Sequence, residues 1–152
     1  MSVSARLAEL GIELPAVAAP VAAYVPAVVH GDLVYTSGQL PFTDGALPAT
    51  GKVGGAVTAE DAKLYARVCA LNALAAAADA AGGIERIAGV LRVGGFVAST
   101  PDFTGQPGVI NGASEVLGEI FGDAGRHARA AVGVPVLPLD SPVEVEVTFI
   151  LS

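Results

Sequence analysis

The chain has 152 residues and a mass of 15.0 kDa, enough for one domain with a real core. It is 53% hydrophobic and only 15% charged, with a mean hydropathy of +0.61, so part of its apolar surface is expected to be covered by other subunits. Its net charge is −7, and eight Lys and Arg scattered singly make no basic footprint, which disfavours a nucleic-acid partner.

Five Phe and three Tyr also provide few platforms for stacked bases. No uninterrupted apolar run reaches the roughly 18 residues of a membrane span. The start, MSVSARLAELGIEL, lacks the apolar stretch of a secretory signal, so the default expectation is a cytoplasmic protein without membrane contact. The single cysteine, Cys69, excludes an internal disulfide, offers no metal-ligand cluster and reads as a small buried hydrophobe.

Taken in order, residues 2–10 predict a short helix with Val3, Leu7 and Leu10 on one side and Gly11 ending it. A proline-punctuated connector, ELPAVAAPVAA, follows. VPAVVHGDLVYTSG predicts a hairpin with His30-Gly31-Asp32 at the turn, and His30 reads as a turn residue. Residues 43–55 form a loop rich in Gly, Pro and Thr, without the spacing of a phosphate-binding motif. The longest helix is expected from Thr58 to Ala81, capped by Thr58, ended by Gly82-Gly83, and with Leu64, Val68, Leu71, Ala75 and Ala78 as its apolar face. IERIAGVLRVGGFVAS predicts a strand kinked or bulged at Gly94-Gly95. A second helix is expected from about Gln106 to Phe121, ending at Gly122.

The last stretch, RHARAAVGVPVLPLDSPVEVEVTFILS, reads as two strands joined by a turn at PLDSP. Val143, Val145, Val147, Phe149 and Leu151 alternate with Glu144, Glu146 and Thr148, the period of a half-buried strand. Arg129, at the head of the first strand, has two readings. It is an exposed edge charge, or a guanidinium fork awaiting a carboxylate.

Two blocks then point to a family. H-A-R-A-A-V-G-V…L-P…V-E-V-E resembles the C-terminal signature of the Rid/YjgF family of enamine/imine deaminases, which includes L-PSP endoribonuclease-like proteins. Far upstream, AAYVPAVVHGDLVYTSGQLPF resembles the same family's tyrosine and S-G-Q segment. The resemblance covers residues 19–152 as one domain, with residues 1–18 a helix and connector added outside it. It implies an α+β, chorismate-mutase-like sandwich, one mixed sheet with two helices on one face. It also implies a homotrimer with ligand clefts between subunits.

The activity implied is hydrolytic deamination of 2-imino or enamine acids, such as 2-iminopropanoate or 2-iminobutanoate, to 2-keto acids and ammonia. The partner is thus a small carboxylate-bearing metabolite. Residue by residue, the family's arginine falls on Arg129, its glutamate on Glu144 and its tyrosine on Tyr24. Substrate-binding positions fall on Ser37, Gly38, Asn111 and Ala131. In that scheme Arg129 anchors the carboxylate, with help from the Gly38 N–H, while Glu144 orients or deprotonates the water. No metal or organic cofactor is required, because the imine is already activated. A non-catalytic metabolite-binding trimer is the alternative, and ribonuclease is third, on charge. Glu144 and Glu146 also fit a plain solvated strand face. Two departures affect substrate range: Ala131 stands where the family has a cysteine, and His127 precedes the arginine where a small residue or proline is usual. His127 reads first as a strand cap, alternatively as a proton-exchanging group at the cleft.

Overall fold

The alternation in VEVEVTFIL sets the architecture. In the computed structural model, which describes residues 1–17, 19 and 23–152, this stretch is strand β5 (Val143–Leu151), buried at every odd-numbered position. Val143, Val145 and Phe149 are wholly inaccessible, and each such side chain contributes about 1.5–3 kcal/mol through burial. Only one face of β5 carries this load, so the helices must lie there.

The hairpin forms as expected. Strands β1 (Ala27–His30) and β2 (Leu33–Thr36) pair antiparallel through Gly31 and Asp32, with Gly31 at φ 61° in the conformation that favours glycine. Strand β3 (Ile87–Ala98) pairs antiparallel with β5 and parallel with β4 (Ala128–Val134). The sheet order is β1-β2-β5-β3-β4. Helices α2 (Ala59–Ala81) and α3 (Gln106–Phe121) pack on one face and against each other. Each supplies the crossover that a return to the same sheet requires. Thr58 caps α2 by accepting from the Asp61 N–H, and Gly82 ends it in the left-handed conformation at φ 89°. The result is the α+β sandwich expected: one mixed sheet, two helices on one face and a short N-terminal helix, α1 (Val3–Glu9).

Helix α1 docks on the outside of the domain. Leu7 is buried, Arg6 Nε donates to the Glu119 carbonyl, and the free N–H groups of Val3 and Ser4 donate to the Glu85 carboxylate. Hydrogen bonds from Ser4 and Val3 hold the Glu85 carboxyl below its usual range. The connector read at residues 13–23, where the boundary between 18 and 19 was drawn, lies partly outside the described residues.

Two local expectations are corrected. The expected face of α2 holds in part: Ala75 and Ala78 are buried and Leu71 packs against the core, but Leu64 is 61% exposed, and Ala62, Ala66, Cys69, Ala70, Ala73, Leu74 and Ala77 are buried. Small side chains let the helix lie close to the sheet, and that close approach outweighs the larger area of Leu64. In β3 the register shifts occur between Ile87 and Gly89 and between Val90 and Arg92, not at Gly94-Gly95. Those two glycines sit in regular register because a Cβ at 95 would run into Ile110 and one at 94 into Glu146. The two strands joined by the PLDSP turn, β4 and β5, do not pair with each other. The PLDSP turn, with Leu139 and Asp140 at positive φ, carries the chain across β3, which lies between them.

Candidate functional site

Register decides which side of the sheet each candidate residue occupies. In β4, Arg129 stands opposite Val93 and Ala131 opposite Gly95, on the face that carries the helices. In β5, Glu144 stands opposite Phe96 and Glu146 opposite Gly94, on the bare face. The sequence candidates therefore fall into two groups on opposite sides of one sheet.

The first group surrounds Arg129. Its Nη1 donates to Asn111 Oδ1 at 2.8 Å and to Ser114 Oγ at 3.2 Å, and its Nη2 donates to the Pro107 carbonyl at 3.4 Å. A guanidinium has five N–H donors. Three are engaged here, so the Nε proton and one Nη2 proton have no acceptor among the described residues. Arg6, Lys63, Arg67 and Arg126 each have a carboxylate partner, whereas all of Arg129's acceptors are neutral. Its full charge and two donors stay available at an exposed position. Ala131, half-buried, packs beside it against the core. Asn111, named in the sequence only as a separate candidate, thus lies against Arg129.

Behind Arg129 lies a contact that the sequence reading missed. His127 Nδ1 donates to the Gly125 carbonyl at 2.6 Å, since a carbonyl only accepts, and His127 Nε2 lies 2.8 Å from Ser114 Oγ. His127 is thus neither a simple strand cap nor a free group. Its ring is half-buried and both nitrogens are bonded. Asn111 and Ser114 share a helix face three residues apart, and His127 lies just before β4, two residues ahead of Arg129.

The second group surrounds Glu144. Gly38 faces it so closely that a Cβ at 38 would overlap Glu144 Oε1. Burial, and then the neighbouring charge of Glu146, push the Glu144 carboxyl above its usual range. The flanking N–H groups are used, Ser37 N–H to the Pro26 carbonyl and Gln39 N–H to the Val145 carbonyl. The Gly38 N–H between them has no acceptor among the described residues. Ser37 Oγ donates to the Val25 carbonyl at 2.7 Å, which ties down the chain just after Tyr24, itself 53% exposed. Ser37 therefore shapes this group through the backbone. On the same bare face Val28, Tyr35 and Val132 remain exposed.

Among the described residues Arg129 and Glu144 open onto opposite faces of the sheet. One surface hollow is lined by Leu14, Val17, Ala75, Ala78 and Gly82, another by Val3, Arg6, Gly118 and Ile120, and neither touches Arg129 or Glu144. Among the described residues no group of three or more His, Cys, Asp or Glu is placed to hold a metal ion, and no helix is long and apolar enough to cross a membrane. Cys69 is fully buried, and burial, then the Glu144 charge, push its thiol well up.

Comparison with known proteins decides the lineage. A model of the family described as YjgF/chorismate mutase-like, putative endoribonuclease, matches residues 4–150. The chain belongs to this family. The YjgF match begins inside α1, so most of that helix falls within the matched span. The chain is 43% identical over 145 residues to Protein TCP17 of Trypanosoma cruzi, covering 95% of this chain and 91% of that protein. A solved structure described as a putative endoribonuclease from Shewanella oneidensis MR-1 superposes with a TM-score of 0.94 at 36% identity, covering 99% of this chain and 100% of that one. The more distant TdcF of Escherichia coli, solved with bound serine, superposes with a TM-score of 0.62 at 27% identity, covering 91% of this chain and 93% of that one.

Proposed function

We propose that the chain hydrolyses the C=N bond of small 2-imino acids, releasing a 2-keto acid and ammonia, at sites shared between copies of itself in a homotrimer. The observation that carries this reading is Arg129: a guanidinium fixed by three neutral acceptors, without a carboxylate partner, and with two donors free. Nη2 and Nε match the two oxygens of a carboxylate. That TdcF was solved with bound serine, a ligand bearing a carboxylate, supports the same class of ligand for this chain.

The remaining chemistry falls to the Glu144 group. Water adds to the imine carbon, forming a C–O bond while the C=N π pair moves to nitrogen. Glu144 takes the proton from that water and returns it to the nitrogen, giving a carbinolamine. It then takes the proton of the new hydroxyl and passes it to the amine, so that the C=O bond forms as the C–N bond breaks and ammonia leaves. A carboxyl held above its usual range by burial suits both halves of that shuttle. The open Gly38 N–H adds a donor for the substrate carboxylate. Enamine substrates enter by taking a proton at carbon and giving one up at nitrogen to become the imine.

Because Arg129 and Glu144 face opposite sides of one sheet, a reaction that needs both draws them from different copies. The exposed apolar side chains Val28, Tyr35 and Val132 on the bare face support such an assembly. An RNA substrate is opposed by the net charge of −7. Ammonia release from a 2-imino acid generated in situ tests the proposal. Acceleration over the spontaneous rate is expected, and tight carboxylate binding without acceleration would instead make the chain a metabolite-binding protein.

A further inference from the structure

Arg129 is held in place from behind as well as from the side. Three polar groups stand in a line from the strand start to the guanidinium: the Gly125 carbonyl, the His127 ring and the Ser114 hydroxyl. The hydrogen-bond inventory of each group fixes the direction of the line. The Gly125 oxygen only accepts, so His127 Nδ1 carries a proton. A neutral ring then has a lone pair on Nε2, and the Ser114 hydroxyl proton points to it. That leaves the Ser114 oxygen lone pairs facing Arg129, where Nη1 donates to one of them.

We infer that Ser114 and His127 are positioning residues for Arg129: they fix the rotation of the guanidinium so that its Nε and Nη2 edge stays turned outward for a carboxylate. Asn111 holds the other Nη1 proton, so Nη1 has no donor left for the ligand. Without the Ser114 contact the guanidinium plane is free to turn about the Cδ–Nε bond, which takes the Nε and Nη2 edge off its outward direction. This inference rests on the reading of Arg129 as a carboxylate anchor. It goes beyond it by naming the residues that aim the fork and the tautomer that makes them work. His127 contributes through Ser114 and touches no ligand.

The test uses the full chain and 2-oxobutanoate, a carboxylate that does not turn over, with binding read by calorimetry. Two spectroscopic signals are read by NMR: the Arg129 Nη1–H resonance and the protonation pattern of the His127 ring nitrogens. Wild-type protein is expected to show a protonated Nδ1 at His127 and a sharp Arg129 Nη1–H resonance, because Asn111 and Ser114 accept those protons. Ser114→Ala is expected to broaden or lose that resonance and to weaken binding about tenfold, or about 1.4 kcal/mol. His127→Phe, which keeps the ring volume but removes both nitrogens, is expected to do the same. Ser114→Thr, which keeps the hydroxyl, is expected to restore both. An unchanged Arg129 resonance with wild-type affinity in Ser114→Ala overturns the inference, as does a neutral His127 ring protonated only on Nε2. If wild-type protein binds no carboxylate, the anchor reading falls. The Arg129 resonance still decides whether Ser114 and His127 hold the guanidinium.

Discussion

Arg129 and Glu144 lie on opposite faces of the same sheet, on two strands that flank β3. Two strand spacings of about 4.8 Å separate them laterally. Their partners Val93 and Phe96 stand three residues apart, about 10 Å along β3. One chain thus keeps the two groups of candidate residues apart, one built on α3 and β4, the other on β5 and the segment after β2.

Arg129→Lys is expected to behave as a severe change. A lysine ammonium has three donors and no plane, so it cannot serve Asn111, Ser114, Pro107 and a bidentate ligand together. A hydrogen bond to a charged group contributes about 1.5–3 kcal/mol. The expected loss in kcat/KM on a 2-imino acid is therefore roughly 10- to 150-fold, with Arg129→Ala lower still. Steady-state kinetics on folded variants measure this, and wild-type values would return Arg129 to an edge charge.

Glu144→Gln is expected to lower kcat with little change in KM, and also to raise stability at neutral pH. The sign follows from the raised carboxyl. Between the unfolded and folded pKa the native state binds more protons, so stability falls as pH rises through that window and stays lower above it. The glutamine, which does not titrate, escapes this loss. Thermal melts across pH should show the variant melting higher than wild type at neutral pH, with the gap closing as pH falls below the folded pKa.

The fold was legible in the sequence because it rests on strong periodicities and punctuation. The five alternating apolar positions of β5, the Gly31 turn and the Thr58 and Gly82 caps each act through local chemistry. What misled was size. Leu64 looks like core, yet the alanines beside it pack, because close backbone approach depends on how small a residue is. The expected bulge at Gly94-Gly95 failed for a related reason, since those glycines make room for Glu146 and Ile110. Of the candidate site, Arg129, Asn111, Glu144 and Gly38 were each named by motif, but Gly38, expected to assist Arg129, stands against Glu144. Ser114 and the role of His127 could not be named, because nothing local says that a helix face and a strand face will meet.

Gly38→Ala should separate function from stability. The added Cβ overlaps Glu144 Oε1, the far end of a flexible side chain, so the carboxylate turns away while the backbone stays. The expected result is a kcat at least about tenfold lower with a stability change under about 1 kcal/mol, below the usual range for overpacking a rigid core. Kinetics and denaturant melts on the same preparation check both halves.

Affinity for RNA is expected to be negligible at physiological salt, from the charge of −7 and the absence of a basic run. Filter binding or fluorescence anisotropy with single-stranded and hairpin RNA measures it. Tight binding that falls steeply with added salt would contradict the expectation.

A complementation experiment addresses the shared site directly. Arg129→Ala and Glu144→Gln chains, each inactive as a homogeneous assembly, are unfolded, mixed in equal amounts and refolded together, and light scattering confirms the trimer. If each site takes Arg129 from one copy and Glu144 from another, random mixing leaves roughly a quarter of the sites with both native residues, as expected for equivalent interfaces in a closed ring. The mixture should then recover about that share of wild-type ammonia release. Activity in the mixture no higher than in either variant alone, or a monomer of about 15 kDa throughout, would contradict the account.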